Sequence, residues 1–96
     1  MKRIEQTLQY ERWYAKLRDI NVRARIDARI YRLVLGLYGD VKSVGRNVSE
    51  LRIDYGPGYR VYFTERHGDI VILLAGGDKR TQSRDIETAK LIASTL

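Results

Sequence analysis

The chain has 96 residues, a formal net charge of +6, no cysteine and a single histidine. A polypeptide of this length is expected to form one domain, residues 1–96, with a modest core; it has no disulfide framework, no thiolate nucleophile and no cysteine-type zinc site, and the lone His67 leaves metal binding to carboxylates. Its longest uninterrupted apolar run, Ile70 to Ala75, falls far short of the roughly 20 residues of a membrane-spanning helix, and Met1-Lys2-Arg3 leads into no apolar leader segment, so a soluble cytoplasmic protein with no membrane contact is expected.

Residues 3–6 fit a short first strand. Thr7 is placed to cap a helix from Leu8 to Arg18, in which Tyr10, Trp13, Tyr14 and Leu17 recur at helical spacing and read as a core-facing stripe. Asp19 or Asn21 opens a second helix with Val22, Ile26, Ile30, Leu33 and Leu37 as its buried stripe, making an antiparallel helical hairpin. Gly36 and Gly39-Asp40 end it, and from Val41 the apolar pattern changes to the alternation of strands. Strands are predicted over Val41–Gly45, Val48–Asp54, Tyr59–Arg66 and Asp69–Ala75. Gly56-Pro57-Gly58 supplies a type II turn, with proline at the first central position and the following glycine at positive φ. His67-Gly68 is a two-residue hairpin turn, in which His67 is exposed and incidental. The run from Ile70 to Ala75 does not alternate, so this strand is expected to be central and covered on both faces. After a Gly76-Gly77 loop, Thr81 or Ser83 caps a last helix with Ile86, Ala89, Ala93 and Leu96 on one side. The order predicts an α+β fold: a helical hairpin packed on a mostly antiparallel sheet of four or five strands, with a C-terminal helix.

Charge is unevenly spread. Residues 1–36 carry nine Lys/Arg against four Asp/Glu, a net +5, while residues 37–96 carry nine against eight, a net +1. Such an excess points to an acidic partner, either nucleic acid or polypeptide. Arg23, Arg25, Arg29 and Arg32 are either the surface that meets it or the solvated face of a helix.

The polar face of the sheet carries the chemistry. Alternation puts Glu50, Arg52 and Asp54 on one side of their strand and Arg60 with Tyr62 on the next. Antiparallel pairing brings Arg52 towards Arg60, and Lys79 and Arg80 follow the end of the central strand. Two readings compete: a ladder of surface ion pairs, or an anion site. The excess of cations over neighbouring carboxylates favours the anion site.

The segment Glu50-Leu51-Arg52-Ile53-Asp54-Tyr55-Gly56-Pro57-Gly58-Tyr59-Arg60-Val61-Tyr62-Phe63, followed by Gly76-Gly77-Asp78-Lys79-Arg80, resembles the RelE/ParE superfamily of type II toxins, in its HigB-like branch. The resemblance runs from about Thr7 to Ile92 and implies a microbial-RNase-like fold. It also implies a toxin that cuts mRNA on the ribosome without metal or cofactor, inhibits translation, and is held by a cognate helix-turn-helix antitoxin. On this resemblance Arg60 holds the scissile phosphate, Arg52 supports it, and Lys79 or Arg80 stabilises the transition state. Arg80, Tyr55, Tyr59 and Tyr62 are the implied RNA contacts. RelE has a lysine where this chain has Glu50 and a tyrosine near the position of Ile86. Glu50 is therefore either the base or a group that orients Arg52, and Tyr55 and Tyr62 are the candidates to replace the missing phenol. A ParE-like inhibitor of DNA gyrase and a non-catalytic RNA-binding domain are the alternatives.

Overall fold

The sequence resolves into β1 (Arg3–Gln6), α1 (Leu8–Ala15), α2 (Ile20–Val34), β2 (Val41–Gly45), β3 (Val48–Ile53), β4 (Tyr59–Arg66), β5 (Ile70–Asp78) and α3 (Gln82–Ser94), in a computed structural model describing residues 1–96. A single 3-10 turn, Lys79–Thr81, joins β5 to α3. The strands form one sheet in the order β1-β5-β4-β3-β2. Only the β1–β5 pairing is parallel, so the α+β fold with a mostly antiparallel sheet is the one expected. No helix is long and apolar enough to cross a membrane.

Side-chain caps set the helix starts. Thr7 accepts from the Tyr10 N–H at 3.2 Å while its hydroxyl donates to the Leu74 carbonyl at 2.7 Å, tying α1 to β5. Asp19 rather than Asn21 caps α2, accepting from the Asn21 N–H at 2.8 Å. Helix α1 stops at Ala15, short of Arg18, and α2 stops at Val34, with Gly36 in the left-handed region. Leu37 therefore lies beyond the helix and is exposed rather than part of the buried stripe. Leu96, past the end of α3, is likewise exposed. In the β3–β4 connection, the turn closes one residue earlier than predicted. The Gly58 N–H donates to the Tyr55 carbonyl at 3.1 Å, and both Gly56 and Gly58 take positive φ, which only glycine adopts without strain.

Helices cover both faces of the sheet. Under α1 and α2 lies the main core, built from Tyr10, Val22, Ile26, Leu33 and the inward residues Leu51, Ile53, Val61, Phe63, Val71 and Leu73. On the other face α3 packs Ala89 onto Val48, Tyr62, Ile72, Leu74 and Ala75. The strand expected to be covered on both sides is therefore β5, as its unbroken apolar run implies.

That strand also corrects an expectation. Gly76 and Gly77 are not a loop; β5 continues through them to Asp78. Between the Tyr62–Ala75 and Phe63–Leu73 pairs, Leu74 is an extra residue, a bulge that turns the rest of β5 over. Gly76 then faces Trp13 and Gly77 faces Asp85. A β-carbon at Gly76 would fall inside the Trp13 indole, and one at Gly77 inside the Asp85 carboxylate. Close packing from both helical layers, not turn geometry, requires the two glycines.

Candidate nucleic-acid site at the open end of the sheet

The register places Glu50 opposite Tyr62 and Arg52 opposite Arg60, and Arg60 in turn lies opposite Gly77. These residues lie on the face that α3 partly covers. The first turn of α3 lies over Glu50 and Gly77, while Arg52, Arg60 and Lys79 stand beyond it. Together with Asp40, Asp54 and the Gly56–Gly58 turn they line a cleft of about 360 Å³. Its charge comes from three cations, Arg52, Arg60 and Lys79, and two carboxylates, Asp40 and Asp54.

Glu50 is the centre of the arrangement. Its side chain is 0 % exposed, and both oxygens are engaged. Oε1 accepts from Arg52 Nε at 3.0 Å and lies 3.8 Å from Arg60 Nε; Oε2 accepts from Gln82 Nε2 at 2.7 Å and from the Tyr62 hydroxyl at 3.2 Å. Burial alone would push the carboxyl's pKa up. The hydrogen bonds from Gln82, Arg52 and Tyr62 and the charge of Arg60 outweigh it and hold Glu50 below the ordinary carboxylate range. The residue is a fixed, ionised acceptor. Tyr62 is its complement, since burial and the Glu50 charge push the phenol well above the usual tyrosine range and keep it a hydrogen-bond donor.

Arg60 is less fully satisfied. Its side chain is 12 % exposed. Nη1 donates to the carbonyls of Gly58 at 3.1 Å and Tyr59 at 3.3 Å, while the buried Nε has no hydrogen-bond partner. Nε faces Glu50 and Nη1 is taken by the carbonyls, which leaves Nη2 as the donor free to meet an oxyanion such as phosphate. Lys79 adds an exposed charge beside it: a β-carbon at Gly58 would lie 3.3 Å from Arg60 Nη1 and 3.5 Å from the Lys79 β-carbon, so the glycine keeps this corner open.

The remaining site residues named from sequence lie elsewhere. Arg80 grips Asp78, with Nη2 to Oδ2 at 2.8 Å and Nε to Oδ1 at 3.3 Å, and does not line the cleft. Tyr55 and Tyr59 pack against the main core on the α1/α2 face, and Arg25 sits 4.1 Å over the Tyr55 ring. Tyr62 is on the correct face but fully buried beneath α3, so it offers no ring surface for stacking. His67 is exposed in its turn, at φ 58°. No group of three His, Asp or Glu side chains is placed to hold a metal ion.

Two residues of the site escape the sequence reading. Gln82 fixes Glu50, and Asp85, buried over Gly77, accepts from the Thr81 hydroxyl. Thr81 is at the predicted cap position but makes no capping bond, because its hydroxyl turns to Asp85; Asp78 caps the preceding turn instead. The signal for Gln82 was present: the stripe Ile86, Ala89, Ala93 continued back by one turn arrives at it.

Among known proteins, a protein of Haemophilus influenzae described as uncharacterized is 52 % identical over 93 residues, covering 97 % of this chain and 94 % of its own length. No solved structure matches. Residues 15–95 match the family described as "Phage derived protein Gp49-like (DUF891)", a span that contains every residue of the cleft. The chain belongs to this phage-derived Gp49-like family.

Proposed function

We propose that the protein is the toxin of a toxin–antitoxin pair and acts as a ribosome-dependent endoribonuclease on mRNA. The observation that carries this reading is Arg60, a nearly buried guanidinium whose Nε faces the ionised Glu50 and whose Nη1 is held by main-chain carbonyls, with Nη2 left without a hydrogen bond beside Arg52 and Lys79. The RelE/HigB-like character of the sequence and its Gp49-like membership support the same reading.

In the proposed reaction the RNA 2′-hydroxyl attacks the adjacent phosphorus and loses its proton to a base. The bond from phosphorus to the 5′-oxygen breaks, and that oxygen takes up a proton. A 2′,3′-cyclic phosphate and a free 5′-hydroxyl result. Arg60 holds the non-bridging oxygens, and Arg52 and Lys79 meet the charge that grows on them in the transition state. DNA lacks the nucleophile. Glu50 acts as a positioning residue, because both its oxygens are taken and its proton affinity is low. Asp40 and Asp54 are the carboxylates that reach the cleft and are able to accept the proton. An antitoxin has two basic regions to meet, the cleft and the exposed Arg12, Lys16, Arg18 and Arg32 on α1, α2 and the turn between them.

Primer extension on a translated message after induction tests the reading. Cuts confined to translated codons, lost in Arg60→Ala and Lys79→Ala, are the expected result. Full toxicity of both variants overturns it, and intact messages with damaged DNA would indicate a gyrase-directed protein instead.

A further inference from the structure

A second cationic cluster stands on the same sheet face, at the other end from the cleft. Alternation along β4 keeps Arg60, Tyr62, Thr64 and Arg66 on the side of α3. Tyr62 and Thr64 are buried beneath the helix, and Arg66 emerges beyond it. There it joins Arg46, from the β2–β3 turn, and Lys90, from α3, around a hollow of about 200 Å³ in which Ala93 is the one apolar side chain.

Three features suit this hollow to an anion. None of Arg46, Arg66 and Lys90 forms an ion pair or donates a side-chain hydrogen bond within the chain, so three unneutralised cations share one concavity. Glu65, the carboxylate in the lining, is engaged by Lys2 at 3.1 Å and by the Tyr38 hydroxyl at 2.9 Å. Glu87 lies one turn before Lys90 on α3 without pairing to it. The backbone is fixed as well: Arg46 and Asn47 hold left-handed φ of 54° and 62°, and the buried Thr64 hydroxyl pins the Asn47 carbonyl at 2.7 Å.

We propose that this hollow is a second phosphate-binding site that grips the backbone of the RNA presented to Arg60, an inference that rests on the ribonuclease reading. Arg60 and Arg66 are separated by six residues of strand, roughly 20 Å at about 3.3 Å per residue. That span exceeds the ~8 Å screening length at physiological salt. The two ends therefore act as independent contacts, and an RNA strand held at both is fixed in direction over α3, which covers the sheet between them. The cleft supplies the reacting geometry and the hollow supplies registration.

The test measures binding of the full chain to a single-stranded RNA oligonucleotide, 2′-O-methylated so that it is not cut, over a range of salt concentrations. Arg46→Glu, Arg66→Glu and Lys90→Glu are each expected to weaken binding several-fold. Each is also expected to lower the slope of log affinity against log salt by about 0.7, the value for one lost phosphate contact on a single strand. Arg66→Lys, which keeps the charge, should keep the slope of the parent chain. Unchanged affinity and slope in all three reversals overturns the proposal. Two further results overturn it as well: inorganic phosphate binding lost while RNA affinity stays intact, which makes this a small-anion site, or antitoxin binding lost while RNA affinity stays intact. Failure of the nuclease reading is separately visible, as an Arg60→Ala variant that remains toxic while Arg66→Glu still lowers RNA affinity.

Discussion

The two faces of the sheet use arginine in opposite ways. On the α1/α2 face the arginines complete the fold. Arg29 donates to the main-chain carbonyls of Arg52, Tyr38 and Asp40, the last two at 3.4 and 3.3 Å, and Arg25 covers Tyr55. Arg23 lies 5.2 Å over Tyr14 and reaches the Ala15 carbonyl at 3.3 Å. On the α3 face Arg52 and Arg60 gather round one buried carboxylate, and both terminal nitrogens of Arg52 and Nη2 of Arg60 remain without a hydrogen bond. The half of the chain with the larger charge excess thus holds the structural arginines, and the nearly neutral half holds the candidate site. Net charge by segment says where cations are abundant; partners say what they are for.

Removing Glu50 tests this contrast hardest. Glu50→Ala leaves Arg52, Arg60, Gln82 and Tyr62 without their common acceptor, and an expected loss of about 3–5 kcal/mol in unfolding free energy follows from breaking a buried pair. Denaturant unfolding measures it. Because the folded carboxyl titrates below its ordinary value of 4.5, its contribution is complete above that pH and is lost as pH falls through the lower folded value. Glu50→Gln should therefore flatten the acid limb of the stability profile, and an unaltered limb would remove Glu50 from the account. Arg60→Ala comes next, with a fall in cleavage on the order of 10²–10³, as for loss of one transition-state donor, and a circular dichroism spectrum like that of the parent. Gly77→Ala should cost about 1–3 kcal/mol through overpacking against Asp85, read as a lowered urea midpoint. The smallest effect is expected on the other face: Arg25→Ala should cost about 0.5–1 kcal/mol, the usual range for an exposed cation–π contact, with cleavage unchanged. A large activity loss there would erase the distinction between the faces.

Much of this architecture was legible. The bounds of β2 and β4, the Thr7 cap and the pairing of Arg52 with Arg60 follow from alternation and turn chemistry alone. The errors share a cause: strand parity says which residues share a face but not what packs against it. Tyr62 alternates with Arg60 and looked available, yet α3 buries it. Tyr55 and Tyr59 look like neighbours of Arg60 in sequence, but Tyr59 is opposite Ile53 and faces the main core. Gly76-Gly77 reads as a loop because propensity contains no term for Trp13 and Asp85 pressing on the strand from either side. Glu50 was visible as a carboxylate among cations, but its role depended on Gln82, 32 residues away.

The extra residue at Leu74 sets the handedness of the strand end. Insert or delete one residue there and the final segment of β5 is read in the opposite phase: Gly76 would meet Asp85, Gly77 would meet Trp13, and the chain would leave the sheet with Lys79 directed towards the helical hairpin. Alignments of relatives that differ in length at this point should therefore be read as differing in which side of the molecule receives the lysine, even where every cation of the cleft is present in the sequence.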